Sequence, residues 1–261
     1  MRTISLHDQS VIEAQLRQNP FLHIYEIGDL DDFFWPYTTW YASEEQGRIQ
    51  EVALLYSASD QPILLGLSET PERMRALIRS LRVLLPRQLY VHLSPGVEQA
   101  FSGSYHLESH GLHYKMALRH PAALNAIDTE HVIQLSTADR AEVEEFYRVS
   151  YPNNSFDPRM LETECYYGIR QQGKLVSIAG IHVYSPRYRV AALGNVTTHP
   201  NRRGQGLGRT VCASLSQALY ATVDHIGLNV KADNTSAIAC YKRLGFEIIA
   251  EYTEFTCTLQ R

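Results

Sequence analysis

Val196-Thr197-Thr198-His199-Pro200-Asn201-Arg202-Arg203-Gly204-Gln205-Gly206-Leu207-Gly208-Arg209-Thr210-Val211 is the stretch on which the reading of this chain turns. The β-branched start reads as the end of a strand, and an amphipathic helix is expected from Arg209 to Ala221. Between them, glycines let the backbone turn sharply and approach a ligand closely. The first amides of the following helix have no intrahelical acceptor and stand at the positive end of its dipole. With arginines alongside, that arrangement suits a pyrophosphate. Two other phosphate loops fail on detail. A P-loop needs Lys and then Ser or Thr after its last glycine, whereas Gly208 is followed by Arg209-Thr210. A dinucleotide fingerprint beginning at Gly204 needs glycine at position 209, which is arginine. The bland alternative is a surface turn with a solvated basic rim.

Working outward, the pattern downstream is a strand at Ile226–Val230, then a helix from Asn234 to Leu244 ended by Gly245. Two strands, FEIIAEY and EFTCTLQ, finish the chain. Upstream, HVIQLS reads as a strand and TADRAEVEEFYRVSY as a helix with a Thr cap. CYYGIRQ and KLVSIAGIHVYS pair through a turn, and RVAALGNVTTHP leads into the glycines. A polar stretch at 119–130 marks a domain boundary. Before it lie a helix capped by Asp8, three strand-like runs (PYTTWYA, RIQEVALLYSA, QPILLGL) and a helix from Pro71 to Leu84. A strand at Gln88–Leu93, a short helix at Val97–Phe101 and a strand pair over Tyr105–Leu118 follow. Each half therefore ends helix, strand, helix, strand, strand. The helix of the first half is preceded by SETPER, which has no glycine turn.

The turn Arg203-x-x-Gly206-x-Gly208, followed by Asn234-x-x-Ala237-x-x-x-Tyr241-x-x-x-Gly245-Phe246, resembles the GNAT superfamily of acyl-CoA-dependent N-acyltransferases over residues 131–261. The resemblance implies an α/β fold with a mixed, mostly antiparallel central sheet and helices on both faces. It implies a catalytic domain at 128–261, beside a smaller α/β domain at 1–122 that reads as a degenerate GNAT-like half without a CoA site. In the family the fourth and fifth strands splay apart to admit pantetheine. Carried over by position, Val196, Thr197 and Thr198 offer backbone groups to the pantetheine. Arg203, Gly204, Gln205, Gly206, Leu207, Gly208 and Arg209 hold the pyrophosphate. Asn234 sits beside the cofactor, and Tyr241 faces the CoA sulfur as general acid.

The implied co-substrate is acetyl-CoA or another acyl-CoA, without a metal, and the implied acceptor is a small-molecule amine or a peptide amine. This sequence departs from the family at the base. Many members carry glutamate early on the fourth strand, where Ala192 stands here. His182 and Tyr184, or Glu162 and Glu164, are the candidates to deprotonate an amine through water. Asn195 is uncharged and can only orient a substrate or water. The missing acid leaves an alternative function, an acyl-CoA sensor with little turnover. The loop Tyr151–Phe156 is either an acceptor contact or a plain connection.

Composition sets the outer bounds. The chain has 261 residues, 44% hydrophobic and 20% charged, enough for one large or two small domains. Lys and Arg number 24 against 28 Asp and Glu, so the net charge of −4 lacks the basic footprint of a nucleic-acid binder. No apolar run approaches the ~18 residues that span a bilayer, so no membrane partner is expected. The N-terminus has no export-signal pattern. Cys165, Cys212, Cys240 and Cys257 have no metal-ligand spacing and read as free thiols. A cytoplasmic monomer or homodimer is expected. His106, His110 and His113 would gather on a helix, but their segment reads as strands, which scatters them. Trp35 and Trp40 read as core.

Overall fold

In the computed structural model, which describes residues 2–58 and 61–260, the chain runs twice through one order of elements. The first pass is β1 (Arg2–Leu6), α1 (Gln9–Leu16), α2 (Ile24–Gly28), β2 (Thr38–Glu45), β3 (Arg48–Tyr56) and β4 (Ile63–Gly66). It continues with α3 (Pro71–Leu81), β5 (Gln88–Leu93), a 3-10 turn at Val97–Phe101 and β6 (Tyr105–Leu118). The second pass is β7 (Ile133–Leu135), α4 (Arg140–Ser150), a 3-10 turn at Pro158–Thr163, β8 (Tyr166–Gln171), β9 (Lys174–Ser185) and β10 (Val190–Thr198). It closes with α5 (Leu207–Tyr220), β11 (His225–Lys231), α6 (Thr235–Arg243) and β12 (Phe246–Leu259).

The two passes share their strand pairing. In each, the first four strands pair antiparallel in chain order and the fourth pairs parallel with the fifth. They also share a turn. Gln46-Gly47 joins β2 to β3 with φ of 52° and 76°, and Gln172-Gly173 joins β8 to β9 with φ of 53° and 76°. Two positive φ values in a two-residue loop match the right-handed twist of a hairpin.

Contacts group the chain into two units, Met1–Lys115 with Val230–Asp233 and Ile248–Arg261, and Met116–Asn229 with Asn234–Glu247. This partition differs from a simple cut between 122 and 128, because the final strand returns to the first unit. Thr253–Thr258 of β12 pair antiparallel with β5. The reason is burial. Cys257 is fully buried among Met74, Leu77, Ile78 and Leu81 of α3 and Leu89 and Val91 of β5, with Phe255 and Leu259 packed against the same core.

Local signals set most element ends. Asp8 caps α1 by accepting from the amides of Ser10 (2.9 Å) and Val11 (3.2 Å). Asn234 caps α6, and Gly245 ends it with φ of 90°. Other boundaries differ from expectation. Tyr105–Leu118 is one strand that passes Gly111 at φ of 97°, not a strand pair, and Phe246–Leu259 is likewise one strand. The helix expected to reach Leu84 ends at Leu81, and the one expected from Arg209 starts at Leu207. Trp40 is buried and stacks on Trp35. Among the described residues no helix is long and apolar enough to cross a membrane.

Candidate functional site

The parallel pair at the centre of each half behaves differently. In the first half, β4 pairs with β5 along its whole length, from Ile63↔Tyr90 to Gly66↔Leu93. The pairing is extended beyond the strand by Ser94 N–H donating to the Gly66 carbonyl and Ser68 N–H donating to Ser94 Oγ. A Cβ on Gly66 would fall 2.7 Å from Ile78 and 2.9 Å from Leu93, so nothing threads between these strands. The start of α3 is also closed. Pro71 removes an amide from its first turn, and the carboxylate of Glu51, 6% exposed, accepts from Thr70 Oγ1 (2.6 Å) and Ser68 Oγ (3.0 Å) beside it. An internal anion stands at this helix start.

In the second half, β10 and β11 pair only from Val190↔His225 to Leu193↔Leu228. β10 continues to Thr198, held on its other side by Thr197↔Ile178 and Thr198↔Ser177 of β9. Backbone groups of Val196, Thr197 and Thr198 are thus released from β11. The parting coincides with a bulge between Gly194 and Thr197. Asn195 occupies it at φ of 52° and is 3% exposed.

Three elements lock that bulge. Tyr147 of α4 donates its hydroxyl to the Asn195 carbonyl at 2.7 Å. Asn195 Nδ2 donates to the Tyr166 hydroxyl of β8 at 3.0 Å, and Tyr166 donates onward to the Ile181 carbonyl at 3.2 Å. Asn195 Oδ1 accepts from the Ser155 amide at 3.2 Å, which ties the loop 151–156 to the strand. Burial pushes the phenols of Tyr147 and Tyr166 well up, so both stay protonated donors. Both ends of the Asn195 amide are engaged in this way, so its observed role is to hold the strand. The ring of Tyr166 lies against Gly180 and that of His182 against Gly194, a glycine pair facing each other across β9 and β10. A Cβ at either glycine would clash with the ring above it.

Beyond Thr198 the turn is built for an anion. His199 Nδ1 accepts from the Asn201 amide, and Arg203 Nε donates to the Thr198 carbonyl at 3.2 Å. Gly204 and Gly206 have φ of 77° and 81°, with nothing within 4 Å of where a Cβ would stand. Gly206 starts α5 and brings no side chain to cap it. The first amides of α5 therefore keep their donors for a ligand. Arg209, in the first turn, has its Nε buried without a hydrogen-bond partner. It lies close enough to α6 to pull down the Cys240 thiol, which burial raises. An orphaned guanidinium nitrogen beside an open glycine cradle fits a diphosphate.

The remaining candidates are distributed as follows. Asn234 is exposed at the start of α6, its Oδ1 committed to the Ala237 amide at 3.2 Å. Tyr241, about two helical turns further on, is 8% exposed, with its ring 6.0 Å from Phe246. Tyr184 is turned elsewhere, donating to Thr222 Oγ1 beyond the C-terminal end of α5, at 3.3 Å. Glu162 and Glu164 are exposed, the latter with φ of 57°. Ala192 is fully buried between Val183 and Gly227, so this strand position carries no acid. The sequence signals the Tyr147–Asn195–Tyr166 lock only through a lone asparagine in an apolar strand run. His110 and His113 are scattered along β6, bonding Thr256 Oγ1 and the Gly111 carbonyl, and His106 is exposed.

Comparison with known proteins bears on this geometry. Residues 130–246 match the profile of the acetyltransferase (GNAT) family. A 104-residue stretch is 35% identical to an uncharacterised protein of Mycobacterium leprae (strain TN), covering 38% of this chain and 28% of that one. The match thus spans little more than a quarter of that relative's length. Similar solved structures include a tandem GNAT protein from the clavulanic acid biosynthesis pathway, with TM-score 0.61 and 16% identity over 98% of this chain and 97% of that one. A GNAT-family acetyltransferase of Colwellia psychrerythraea aligns with TM-score 0.57 and 14% identity over 99% and 100%. A Drosophila protein reaches TM-score 0.69 at 14% identity over 98% of both chains. At these identities the likeness is one of fold.

Proposed function

Because residues 130–246 match the model of the GNAT acetyltransferase family, we propose that the protein transfers an acetyl group from acetyl-CoA to the nitrogen of a primary amine. The observation that carries this reading is the parting of β10 from β11 after Leu193↔Leu228, directly ahead of the uncapped start of α5. Freed backbone groups of Val196, Thr197 and Thr198 suit the amides of pantetheine, and the turn from Arg203 to Arg209 suits the pyrophosphate. Acetyl-CoA supplies the activated acyl carbon. The amine attacks that carbon, the C–N bond forms and the C–S bond breaks. Tyr241 protonates the departing thiolate, and Asn234 flanks the cofactor at the start of the same helix.

An alkylamine with a pKa near 10 must lose a proton before it attacks. With alanine at 192, His182 is the base we favour, acting through a water, since its ring rests on Gly194 next to the bulge. Tyr184 is a weaker candidate because its hydroxyl is already directed at Thr222. Ala192 also motivates the second reading, an acyl-CoA sensor with little turnover.

Calorimetric titration with acetyl-CoA, repeated on a Gly206→Ala, Arg203→Ala double variant, tests the donor site. Micromolar binding that is lost in the variant supports it, and equal binding by both proteins refutes it. A panel of amines with thiol-release detection then separates enzyme from sensor. Turnover that falls about 100-fold in His182→Gln supports the base; binding without turnover on any amine favours the sensor.

A further inference from the structure

The first unit holds a group of ionisable side chains in its interior that acyl transfer does not use. Glu26 of α2 and Lys115 of β6 are each 3% exposed. Buried charges are ordinarily paired and fully hydrogen-bonded. Here both are only partly spent. Glu26 Oε1 meets His23 Nδ1 at 3.1 Å, while Glu26 Oε2 is buried without a hydrogen-bond partner. Lys115 Nζ lies over the ring of Tyr25 at 4.7 Å and that of Tyr252 at 5.8 Å. Among the described residues, no carboxylate oxygen comes within the 4.0 Å of an ion pair with it.

Glu26 and Lys115 nevertheless face the same region. Burial opposes the charge on each, and each draws the other back toward its ionised form. Nearby groups do not fill the gap. Glu254 accepts from the hydroxyls of Tyr252 (2.9 Å) and Tyr90 and meets His92 and His113 at 3.5 Å, so its oxygens are used. Burial holds the Asp29 carboxyl well above the usual carboxylate range. What is left is one carboxylate oxygen without a partner and one ammonium outside any ion pair, each felt electrostatically by the other, the ammonium lying over two tyrosine rings. A ligand that satisfies both must carry a cation and an anion a short distance apart. An α-amino acid carries its ammonium and carboxylate on a single carbon.

We propose that the first unit binds a free α-amino acid, its carboxylate on Lys115 and its ammonium on Glu26, between Tyr25 and Tyr252. The side chains of His92, Glu254 and His113 keep 17%, 15% and 13% of their surface exposed, so this end of the cluster reaches solvent. The site does not depend on the acyl-transfer reading, because its readout is equilibrium binding without acyl-CoA.

Calorimetry on the full chain with each standard L-amino acid is the test, together with the N-acetyl and carboxamide derivatives of any that bind. We expect at least one to bind at or below millimolar concentration, with both derivatives weaker by about tenfold or more, since each lacks one charge. Lys115→Met and Glu26→Gln should each weaken binding by about tenfold or more, with circular dichroism and a cooperative thermal melt reporting that the variants are folded. Absence of binding by every amino acid in the wild type overturns the proposal. So do equal affinities for the N-acetyl and carboxamide forms, a comparison that needs no variant.

Discussion

Gly206→Ala offers the most direct test of the glycine turn, because the structure separates two costs that usually arrive together. Gly206 has φ of 81° and no atom within 4 Å of a Cβ. In the free protein the substitution therefore meets no clash and incurs only the left-handed backbone penalty of about 1–2 kcal/mol. For a chain of this size that lowers Tm by ~2–4 °C per kcal/mol. Gly47, in the β2–β3 hairpin of the first unit, is a matched control, with φ of 76° and the same open surroundings. Gly47→Ala should lower Tm by a similar amount.

Binding then distinguishes the two positions. Backbone strain present in both the free and the bound protein cancels from Kd, so Kd reads only whether a ligand must approach the backbone at 206. If phosphate oxygens reach the amides at the start of α5, a methyl group there displaces one or two charge-assisted hydrogen bonds of about 1.5–3 kcal/mol each. Affinity for acetyl-CoA should fall at least ~10-fold. Thermal melts and calorimetry on the two variants supply both numbers. Equal loss of Tm with unchanged Kd in Gly206→Ala would refute the assignment of the turn as a phosphate cradle.

Three further outcomes are expected. Tyr241→Phe should lower kcat by ~100-fold or more while leaving the acetyl-CoA Kd nearly unchanged; turnover equal to wild type at every pH removes Tyr241 from the mechanism. Asn195→Ala loses the bonds to Ser155 and Tyr166 and places alanine at φ of 52°. It should cost about 2–4 kcal/mol in chemical denaturation, and a loss under about 0.5 kcal/mol would show that the bulge holds without the lock. His92 is held down at about 4 chiefly by burial, against an ordinary value of 6.5. Between those values the unfolded chain binds the proton and the folded one does not, so stability falls as pH drops from 6.5 to 4, by at most about 3 kcal/mol. His92→Gln should reduce the difference between melts at pH 7.5 and pH 5, and an unchanged difference would contradict an imidazole held neutral in the fold.

Local features are legible in the amino-acid order alone. Glycines at 204, 206 and 208 between a β-branched run and a helical pattern specify a strand–turn–helix unit whatever surrounds it. Asn234 and Gly245 likewise bracket α6 by capping chemistry that acts within a single turn. The order of elements, and hence the resemblance between the halves, followed from such local signals. Tertiary structure decided the rest. Whether a parallel pair opens depends on residues far apart in the chain: Tyr147 and Tyr166 fix the bulge at Asn195, while Ile78 and Leu93 close over Gly66. The return of β12 to the first unit depends on which core accepts Cys257, Phe255 and Leu259, and alternation along one strand does not name its neighbour. The electrostatic coupling of Glu26 with Lys115 relates residues far apart in the chain of the first unit. Capping and turn formation are settled over three or four residues of backbone, whereas strand partners and buried charges are settled by the packing of the whole unit.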